Sequence, residues 1–367
     1  MFQDISVEQL LEFQRKKELT LVDVRSPSEY HDATIPGDLN IPLFDDQERA
    51  EIGTTYKQVS IQAAKEKGLE IVSAKLPAFV KSFQEIDSPK AVFCWRGGMR
   101  SKTTATVLSL MGIRVYRLTG GIRAYRSWVV DTLSRFEFRP KAYIINGLTG
   151  SGKTFILRYL KEQGYPVLDL EALAGHRGSI FGQIGLKSHN QKTFESLLLQ
   201  EPLKLEDSPY VLFEAESKRI GKVVLPEFIV NEKETNVQFF IEMPIEERVK
   251  HILEDYEPWN HQEECLLAFQ RIKSRIHTPI AKEIEAYLRE GQFAEAVGSL
   301  LIYYYDPRYD HATSRYTSDK VTIRAHDFME AAEAIMSRLG PPPPKLKEKS
   351  RFPAKAADRD FFNSREK

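Results

Sequence analysis

The chain has 367 residues, of which 42% are hydrophobic and 28% charged, so it can bury the cores of about two globular domains. Its 52 lysines and arginines balance 52 aspartates and glutamates, so the chain has no net positive charge that would attract nucleic acid. Any nucleic-acid site must therefore be a local basic patch. Two cysteines exclude a disulfide scaffold. Because no apolar run could span a membrane and no apolar leader opens the chain, we expect a soluble, cytoplasmic protein without a membrane partner.

Alternating strands and helices are predicted in the first third of the chain. Runs of β-forming residues predict strands at 19–25 and 90–95, and helical periodicity predicts helices at 73–83 and 100–112. The second of these helices ends at Gly112, a residue type that commonly terminates helices. Strands that alternate with helices indicate an α/β domain with a parallel sheet.

A glycine-rich loop follows the predicted strand that ends near Cys94. Gly97 and Gly98 allow successive N–H groups to converge on one point at the start of the next helix, which makes an anion-binding loop. Arg96 and Arg100 add positive charge, so the loop is expected to favour the thiolate of Cys94. The pattern C-x-x-G-G-x-R-S at a strand–helix junction therefore predicts a catalytic nucleophile, and a buried structural cysteine is the alternative.

The alternation of strands and helices starts again in the middle of the chain. Runs of β-forming residues predict four strands, at 141–146, 165–170, 210–216 and 236–243. A helix after residue 154 closes at Gly164, and the chain becomes helical from about 245 to 302. This pattern predicts a second α/β domain with a helical C-terminal extension.

Residues 147–154 fit the pattern G-x-x-x-x-G-K-[ST] between a predicted strand and a predicted helix, the context of a P-loop. Its N–H groups would cradle a diphosphate, Lys153 would reach the distal oxygens, and the Thr154 hydroxyl would help to hold Mg²⁺. The candidate phosphate-binding residues are Gly147, Gly150, Ser151, Gly152, Lys153 and Thr154.

The equipment for nucleotide hydrolysis is not evident in the sequence. The strand at 210–216 ends in glutamates where a Walker B strand usually ends in aspartate, and no arginine-rich lid or water-positioning glutamine stands out. We therefore favour a P-loop that binds a pyrophosphorylated substrate, whose diphosphate is the leaving group, and leave hydrolysis of ATP or GTP open.

Further polar residues follow the strands of the second segment, where α/β proteins bind ligands. The candidate substrate- or metal-binding residues are Arg177, Ser179, Glu214 and Glu216. A surface turn is an equally good interpretation of Arg177, and a paired strand-end charge is the alternative for Glu214. No histidine shows metal-ligand spacing, so no metal site is certain.

One cysteine and a cluster of tyrosines are predicted to pack in the core. Cys265 is predicted to lie in the core on a helix face. The tyrosines at 303–305 and Tyr309 favour core packing over an apolar substrate pocket or a stacked base.

The domain boundaries follow from these patterns. We predict a first domain at 1–136 and a P-loop domain with a helical subdomain at 137–338. The proline-rich and charged residues at 339–367 predict a mobile tail.

The first domain resembles the rhodanese family. The resemblance rests on Asp-Val-Arg-Ser-Pro at 23–27, Glu-Tyr at 29–30 and Ile-Pro-Gly-Asp-Leu-Asn-Ile-Pro at 35–42. Cys94 stands at the position of that family's persulfide-forming cysteine. The loop is one residue longer than in a minimal rhodanese, and its C-x5-R form is shared with phosphatases and arsenate reductases, which indicates room for a larger substrate.

A rhodanese-like domain followed by a P-loop domain resembles the tRNA 2-selenouridine synthase family. The flanking stretches that carry this resemblance are residues 51–58, 176–182, 214–217, 220–221 and 305–309. The resemblance covers residues 1 to about 335.

The resemblance implies a two-step reaction on tRNA. The sulfur of 2-thiouridine at the wobble position is geranylated from geranyl diphosphate, and selenium from selenophosphate then displaces geranyl thiol. Cys94 would handle the selenium as a selanylated cysteine, with Arg96 and Arg100 on the donor's phosphate. The P-loop would bind the prenyl diphosphate, an assignment that is our inference from the chemistry. No tightly bound cofactor is implied.

Other functions remain open at this point. One alternative is a rhodanese-type sulfurtransferase or C-x5-R phosphatase coupled to a P-loop kinase, and another is a non-enzymatic P-loop switch. The sequence does not specify the oligomeric state, the tRNA-binding surface, or whether both steps share one pocket.

Overall fold

The computed structural model describes residues 1–205, 207–308 and 319–344, and the predicted tail lies almost wholly outside them. The described residues form two compact units. One comprises Met1–Pro27 and Gly37–Ala124, and the other comprises Ser28–Pro36 and Tyr125–Pro344. The predicted boundary at residue 136 stays a prediction.

Every neighbouring pair of strands in the sheet of the first unit is parallel. Its strands are β1 (Gln3–Ile5), β2 (Thr20–Asp23), β3 (Leu39–Asn40), β4 (Lys90–Phe93) and β5 (Val115–Leu118). The helices of the first 134 residues are α1 (Val7–Arg15), α2 (Pro27–Asp32), α3 (Asp46–Gln58), α4 (Ile61–Gln84), α5 (Met99–Leu110) and α6 (Gly121–Ser134). The strand order is β1-β5-β4-β2-β3, which places β4 in the middle, directly before Cys94.

The second unit contains another parallel sheet and an antiparallel hairpin. The strands of this sheet are β6 (Lys141–Gly147), β7 (Tyr210–Glu214), β10 (Val237–Glu242) and β11 (Lys320–Arg324), and the hairpin is β8 (Arg219–Ile220) with β9 (Val223–Val224). The strand order is β11-β10-β6-β7. Because β6 is central, the loop that follows it opens at the middle of the sheet's carboxyl edge, where ligands of α/β proteins bind.

Helices cover this sheet and build the C-terminal extension. They are α7 (Lys153–Glu162), α8 (Leu170–Ala174), α9 (Gln191–Leu205), α10 (Glu227–Thr235), α11 (Ile245–Tyr256), α12 (Gln262–Gln270), α13 (Thr278–Glu290), α14 (Phe293–Leu300) and α15 (Phe328–Leu339). Short 3₁₀ turns occur at Pro258–Asn260 and Lys273–Arg275, and a π-helix at Leu301–Tyr305 continues α14.

Separate apolar cores hold these elements together. In the first unit Val22, Phe83 and Leu108 are fully buried between the sheet and its helices. In the second unit one core joins the sheet to α7 and α15, and another, which includes Phe269 and Ile284, joins α12 to α13 and α14. The helical extension therefore has a core of its own.

These observations confirm the predicted fold class, two α/β domains with parallel sheets and a helical C-terminal extension. The strand predicted at 165–170 is wrong, since only Val167 forms a single bridge, to Leu212. The reason is a helix signal: the Asp169 side chain accepts a hydrogen bond from the N–H of Ala172 and caps α8. In the described ranges, no helix combines the length and apolarity that crossing a membrane requires.

Candidate active sites

The Cys94 loop is held between the end of β4 and the start of α6. The carbonyl of Cys94 accepts a hydrogen bond of 2.9 Å from the N–H of Ile122. Gly121 has φ +59°, and a Cβ on it would lie 2.1 Å from the Cys94 oxygen and 2.5 Å from the Gly97 nitrogen. Only glycine therefore allows α6 to approach the loop this closely.

The Cys94 thiol lies at the base of an open helix N-terminus. Its Sγ is 3.2 Å from the hydroxyl of Ser101, and the residue is only 3% exposed. Gly98 is the N-cap of α5, and within the described part of the chain no side chain caps the first turn. The first N–H groups of α5 can therefore bind an anion beside the sulfur.

Three arginines provide positive charge around this loop. Arg96 in the loop is exposed, and Arg100 in the first turn of α5 is half-buried. Sequence reasoning missed Arg117 on β5, which donates a 3.2 Å hydrogen bond to the Gly97 carbonyl and pairs with Asp4 at 2.6 Å. Hydrogen bonding to Asp4 raises the pKa of Arg117, and the nearby Cys94 adds to the effect. No local motif could have found Arg117, because it reaches the loop only through the pairing of β5 with β4.

The residues that carry the rhodanese resemblance brace the neighbouring strand ends. Arg25 and Asp23 form a buried ion pair with N···O 2.6 Å, and the amide of Asn40 donates to the carbonyls of both residues. These contacts tie β2 to β3 beside β4. They are structural supports for the position of Cys94.

The P-loop after β6 has the backbone that a phosphate cradle requires. Gly150 and Gly152 have φ +80° and +75°, a region that favours glycine. The Lys153 ammonium donates to the carbonyls of Gly147 and Leu148 at 3.0 and 3.2 Å, so it folds back over the loop. The hydroxyl of Ser151 is buried and, among the described residues, has no hydrogen-bond partner.

The helical extension supports the P-loop from outside. The Arg248 side chain donates a 2.9 Å hydrogen bond to the Thr149 carbonyl and forms a two-pronged ion pair with Asp306. The ring of His251 lies 3.1 Å from the Gly150 carbonyl. Sequence reasoning did not assign these residues, although Asp306 lies in a stretch that carried the family resemblance.

Three glutamates face the P-loop lysine. The Thr154 hydroxyl donates to Glu171 at 2.9 Å, and the N–H of Glu171 donates to Glu214 at 2.8 Å. Glu214 is 1% exposed, and its Oε2 has no hydrogen-bond partner in the ranges that the structure describes. A Cβ on Gly178 would lie 2.4 Å from Glu216, so a glycine also closes this side of the site.

Burial dominates the ionisation of this cluster. It raises the pKa of Glu171 to about 8, with a further contribution from Glu216, and raises the pKa of Glu214 well above its usual range. The pKa of Glu216 is also raised by burial, against the opposing charge of Lys153. Burial lowers the pKa of Lys153. Burial therefore shifts these carboxyl groups toward the protonated form when no cation is bound, which reduces repulsion of an incoming anion.

Arg177 and Ser179 lie on the wall of the same site. The Arg177 guanidinium pairs with Asp255 at 2.6 Å, donates to the Ile184 carbonyl and covers the ring of Tyr256 at 4.5 Å. The Ser179 hydroxyl is 2.9 Å from that of Tyr256. Both predicted residues therefore help to shape the wall.

A cavity of about 810 Å³ joins the P-loop to the helical extension. Its polar end contains the loop residues 149–154 with Glu171, Glu214 and Glu216. The apolar wall includes Tyr256, Cys265, Leu288, Phe293, Val297 and Leu301. A cavity with one phosphate-binding end and one apolar end fits an amphipathic diphosphate.

The cavity also places the apolar residues singled out earlier. Cys265 is buried in the core of α12, as predicted, and it borders the cavity as well. Burial raises its pKa to about 11. Tyr304 is core, Tyr305 lines the cavity and Tyr303 is exposed, while Tyr309 lies outside the described residues.

Comparison with known proteins matches one family model to each part of the chain. Residues 140–338 match the family model "tRNA 2-selenouridine synthase AAA domain", and residues 6–127 match the model "Rhodanese-like domain". The chain belongs to the tRNA 2-selenouridine synthase family. A protein of that name from Alcanivorax borkumensis is 32% identical over 330 residues, 80% of this chain and 90% of its own length.

Other family members match over a shorter part. A tRNA 2-selenouridine synthase from Nitrosomonas europaea is 38% identical over 245 residues, 64% of this chain and 63% of its own length. The one from Bdellovibrio bacteriovorus is 36% identical over 249 residues, 66% and 65% of the two chains. The chain thus spans slightly less than two thirds of these two relatives.

Proposed function

We propose that this chain is a selenotransferase that converts wobble 2-thiouridine of tRNA into 2-selenouridine in the cytoplasm. In the first step the thiouridine sulfur attacks C1 of geranyl diphosphate and diphosphate leaves. In the second step the selenium of selenophosphate attacks C2 of the S-geranylated base and geranyl thiol leaves, and water then cleaves the P–Se bond and releases phosphate. Membership in the family supports tRNA as the substrate.

The cavity is the observation that carries the prenyl step. Lys153 and the open N–H groups of the P-loop suit a diphosphate, and the adjoining wall from α11 to α14 suits a hydrocarbon chain. A nucleotide would place its polar sugar and base where this wall is apolar. The amphipathic donor therefore fits better than ATP or GTP.

Mg²⁺ is proposed as the companion of the diphosphate. Thr154 supplies a hydroxyl and Glu214 a buried, unpartnered oxygen, and oxygen ligands are those that Mg²⁺ prefers. Among the described residues, no group of three or more His, Cys, Asp or Glu side chains is placed to hold a metal. Phosphate oxygens and water would therefore complete the shell.

The Cys94 loop is proposed to perform the selenium step. The thiol lies beside the uncapped first turn of α5, Arg117 donates to the Gly97 carbonyl, and Arg96 and Arg100 flank the loop glycines in the sequence. This combination suits a phosphate-bearing selenium donor. Cys94 would handle the selenium while the arginines and N–H groups hold the donor's phosphate.

Separating the two steps tests the proposal. Lys153→Ala removes the cation that faces the diphosphate, so geranylation should fall by about 100-fold or more. A tRNA that already carries S-geranyl-2-thiouridine should still accept selenium. Lys161→Ala, an exposed lysine at the end of the same helix, is the control. Nucleoside mass spectrometry of the tRNA measures both products.

Cys94→Ser tests the selenium step in the same experiment. It should abolish 2-selenouridine and let geranylated 2-thiouridine accumulate, while Thr106→Ala on the exposed face of α5 should do neither. Normal selenation by Cys94→Ser would remove the thiol from the reaction. Normal geranylation by Lys153→Ala would remove the P-loop from the prenyl step.

A further inference from the structure

One end of the cavity can be located along α11. Arg248 bonds the Thr149 carbonyl, and a Cβ on Gly150 would lie 2.9 Å from Ile252, so this part of α11 touches the P-loop. Tyr256 ends the helix eight residues after Arg248, roughly 12 Å further along. The cavity wall therefore runs along α11 from the P-loop as far as Tyr256.

The π-helix and α14 also lead away from the P-loop along the cavity, independently of α11. Asp306, just after the π-helix, pairs with Arg248 and is therefore near the P-loop. Phe293 begins α14, roughly 20 Å away along the helical path. Leu288, near the end of α13, and Phe293 are separated only by the turn at Gly291, whose φ is +76°. Both residues that flank this turn line the cavity, far along the helices from the P-loop.

Both side chains at this turn are apolar and packed. Leu288 is 3% and Phe293 9% exposed, and both belong to the core of the helical extension while also lining the cavity. From its terminal phosphorus to the end of its main chain, geranyl diphosphate extends over roughly 14 Å, at the advance per bond of an extended chain. A donor whose diphosphate lies in the P-loop and whose chain follows the apolar lining would therefore end near this wall.

We propose that Leu288 and Phe293 form the end wall that determines which isoprenoid chain length the prenyl step accepts. This inference rests on the proposed function, because it requires a prenyl diphosphate in the cavity. Shortening either side chain lengthens the apolar space, and adding volume at Val297, midway along α14, shortens it. The wall thus acts on specificity, without contact with the reacting atoms.

Chain-length preference tests the wall directly. The ratio of kcat/KM for farnesyl over geranyl diphosphate should rise about tenfold or more in Leu288→Ala, and by less in Phe293→Leu. Val297→Leu should shift preference toward dimethylallyl diphosphate. Ile284→Ala is the matched control, since Ile284 lies on α13 in the same core but does not border the cavity, and its ratio should stay at the wild-type value.

Direct binding separates the failure of this inference from failure of the proposed function. Calorimetry should show that wild-type protein binds geranyl diphosphate more tightly than pyrophosphate. If it does, and the ratio is unchanged in Phe293→Leu and Val297→Leu, the end-wall role is overturned and the prenyl site stands. If both ligands bind equally, the cavity takes no prenyl chain, and both proposals are overturned. Should Leu288→Ala fail to fold, the other two variants decide the outcome.

Discussion

At the scale of single residues, the P-loop site places three glutamates near its lysine. Glu171, Glu214 and Glu216 surround Lys153 in a cavity that we assign to an anion. Full ionisation of the three would oppose that anion, but burial keeps their pKa values high. Glu171, which accepts the Thr154 hydrogen bond, is the member whose pKa, about 8, lies within easy experimental reach.

This pKa predicts the pH dependence of pyrophosphate binding. Below about pH 8 Glu171 is protonated and neutral, and above it the carboxylate repels the ligand. Without Mg²⁺, the affinity of the wild type for pyrophosphate should therefore fall between pH 7 and 9 by about tenfold more than that of Glu171→Gln. Calorimetry at each pH measures both affinities. Equal pH slopes in the two proteins would contradict the assignment.

At the scale of elements, the Cys94 loop depends on where α6 begins. Gly121 and Gly97 permit backbone contacts between the two segments that any side chain would break. The loop is therefore shaped by a helix that starts more than twenty residues later in the chain. The backbone geometry of the loop is a property of its packing against the start of α6.

Two alanine substitutions test this dependence. Gly121→Ala would place a Cβ 2.1 Å from the Cys94 oxygen, so we expect a loss of about 3 kcal/mol or more in stability, together with loss of selenation. Gly112→Ala is the matched control, because Gly112 has φ +74° with nothing within 4 Å of its Cβ, and about 1–2 kcal/mol of backbone strain is all that is expected. Urea denaturation measures the free energy of unfolding of both variants. Similar losses in the two variants would show that backbone strain alone accounts for them.

At the scale of the whole molecule, the two loops belong to two compact units, each with its own parallel sheet. The proposed chemistry divides in the same way, with the prenyl step in the second unit and the selenium step in the first. A ligand of one step should then stabilise only the unit that performs that step. The protein is thus suited to experiments that report on one unit at a time.

Hydrogen exchange with pyrophosphate and Mg²⁺ tests this division. At a ligand concentration of 100 times Kd, amides of β6 and β10 that exchange by opening of the second unit should slow by about 100-fold. Amides of β2 and β4 should keep their rates, and Lys153→Ala should lose the protection. Equal slowing in β2 and β4 would show that the two units open together.

The sequence by itself determined the two loops, their strand–helix context, the family and the fold class. These are local properties: in each loop the glycines lie within a few residues of the cysteine or the lysine, and backbone conformation there depends on neighbouring residues. Only the tertiary structure decided which distant residues join them. Arg117 reaches the Cys94 loop because β5 pairs with β4, and Asp306 supports the P-loop through Arg248. The apolar wall of the cavity likewise forms where helices from separate parts of the sequence pack together. Side-chain packing between residues far apart in the sequence leaves no local pattern to recognise.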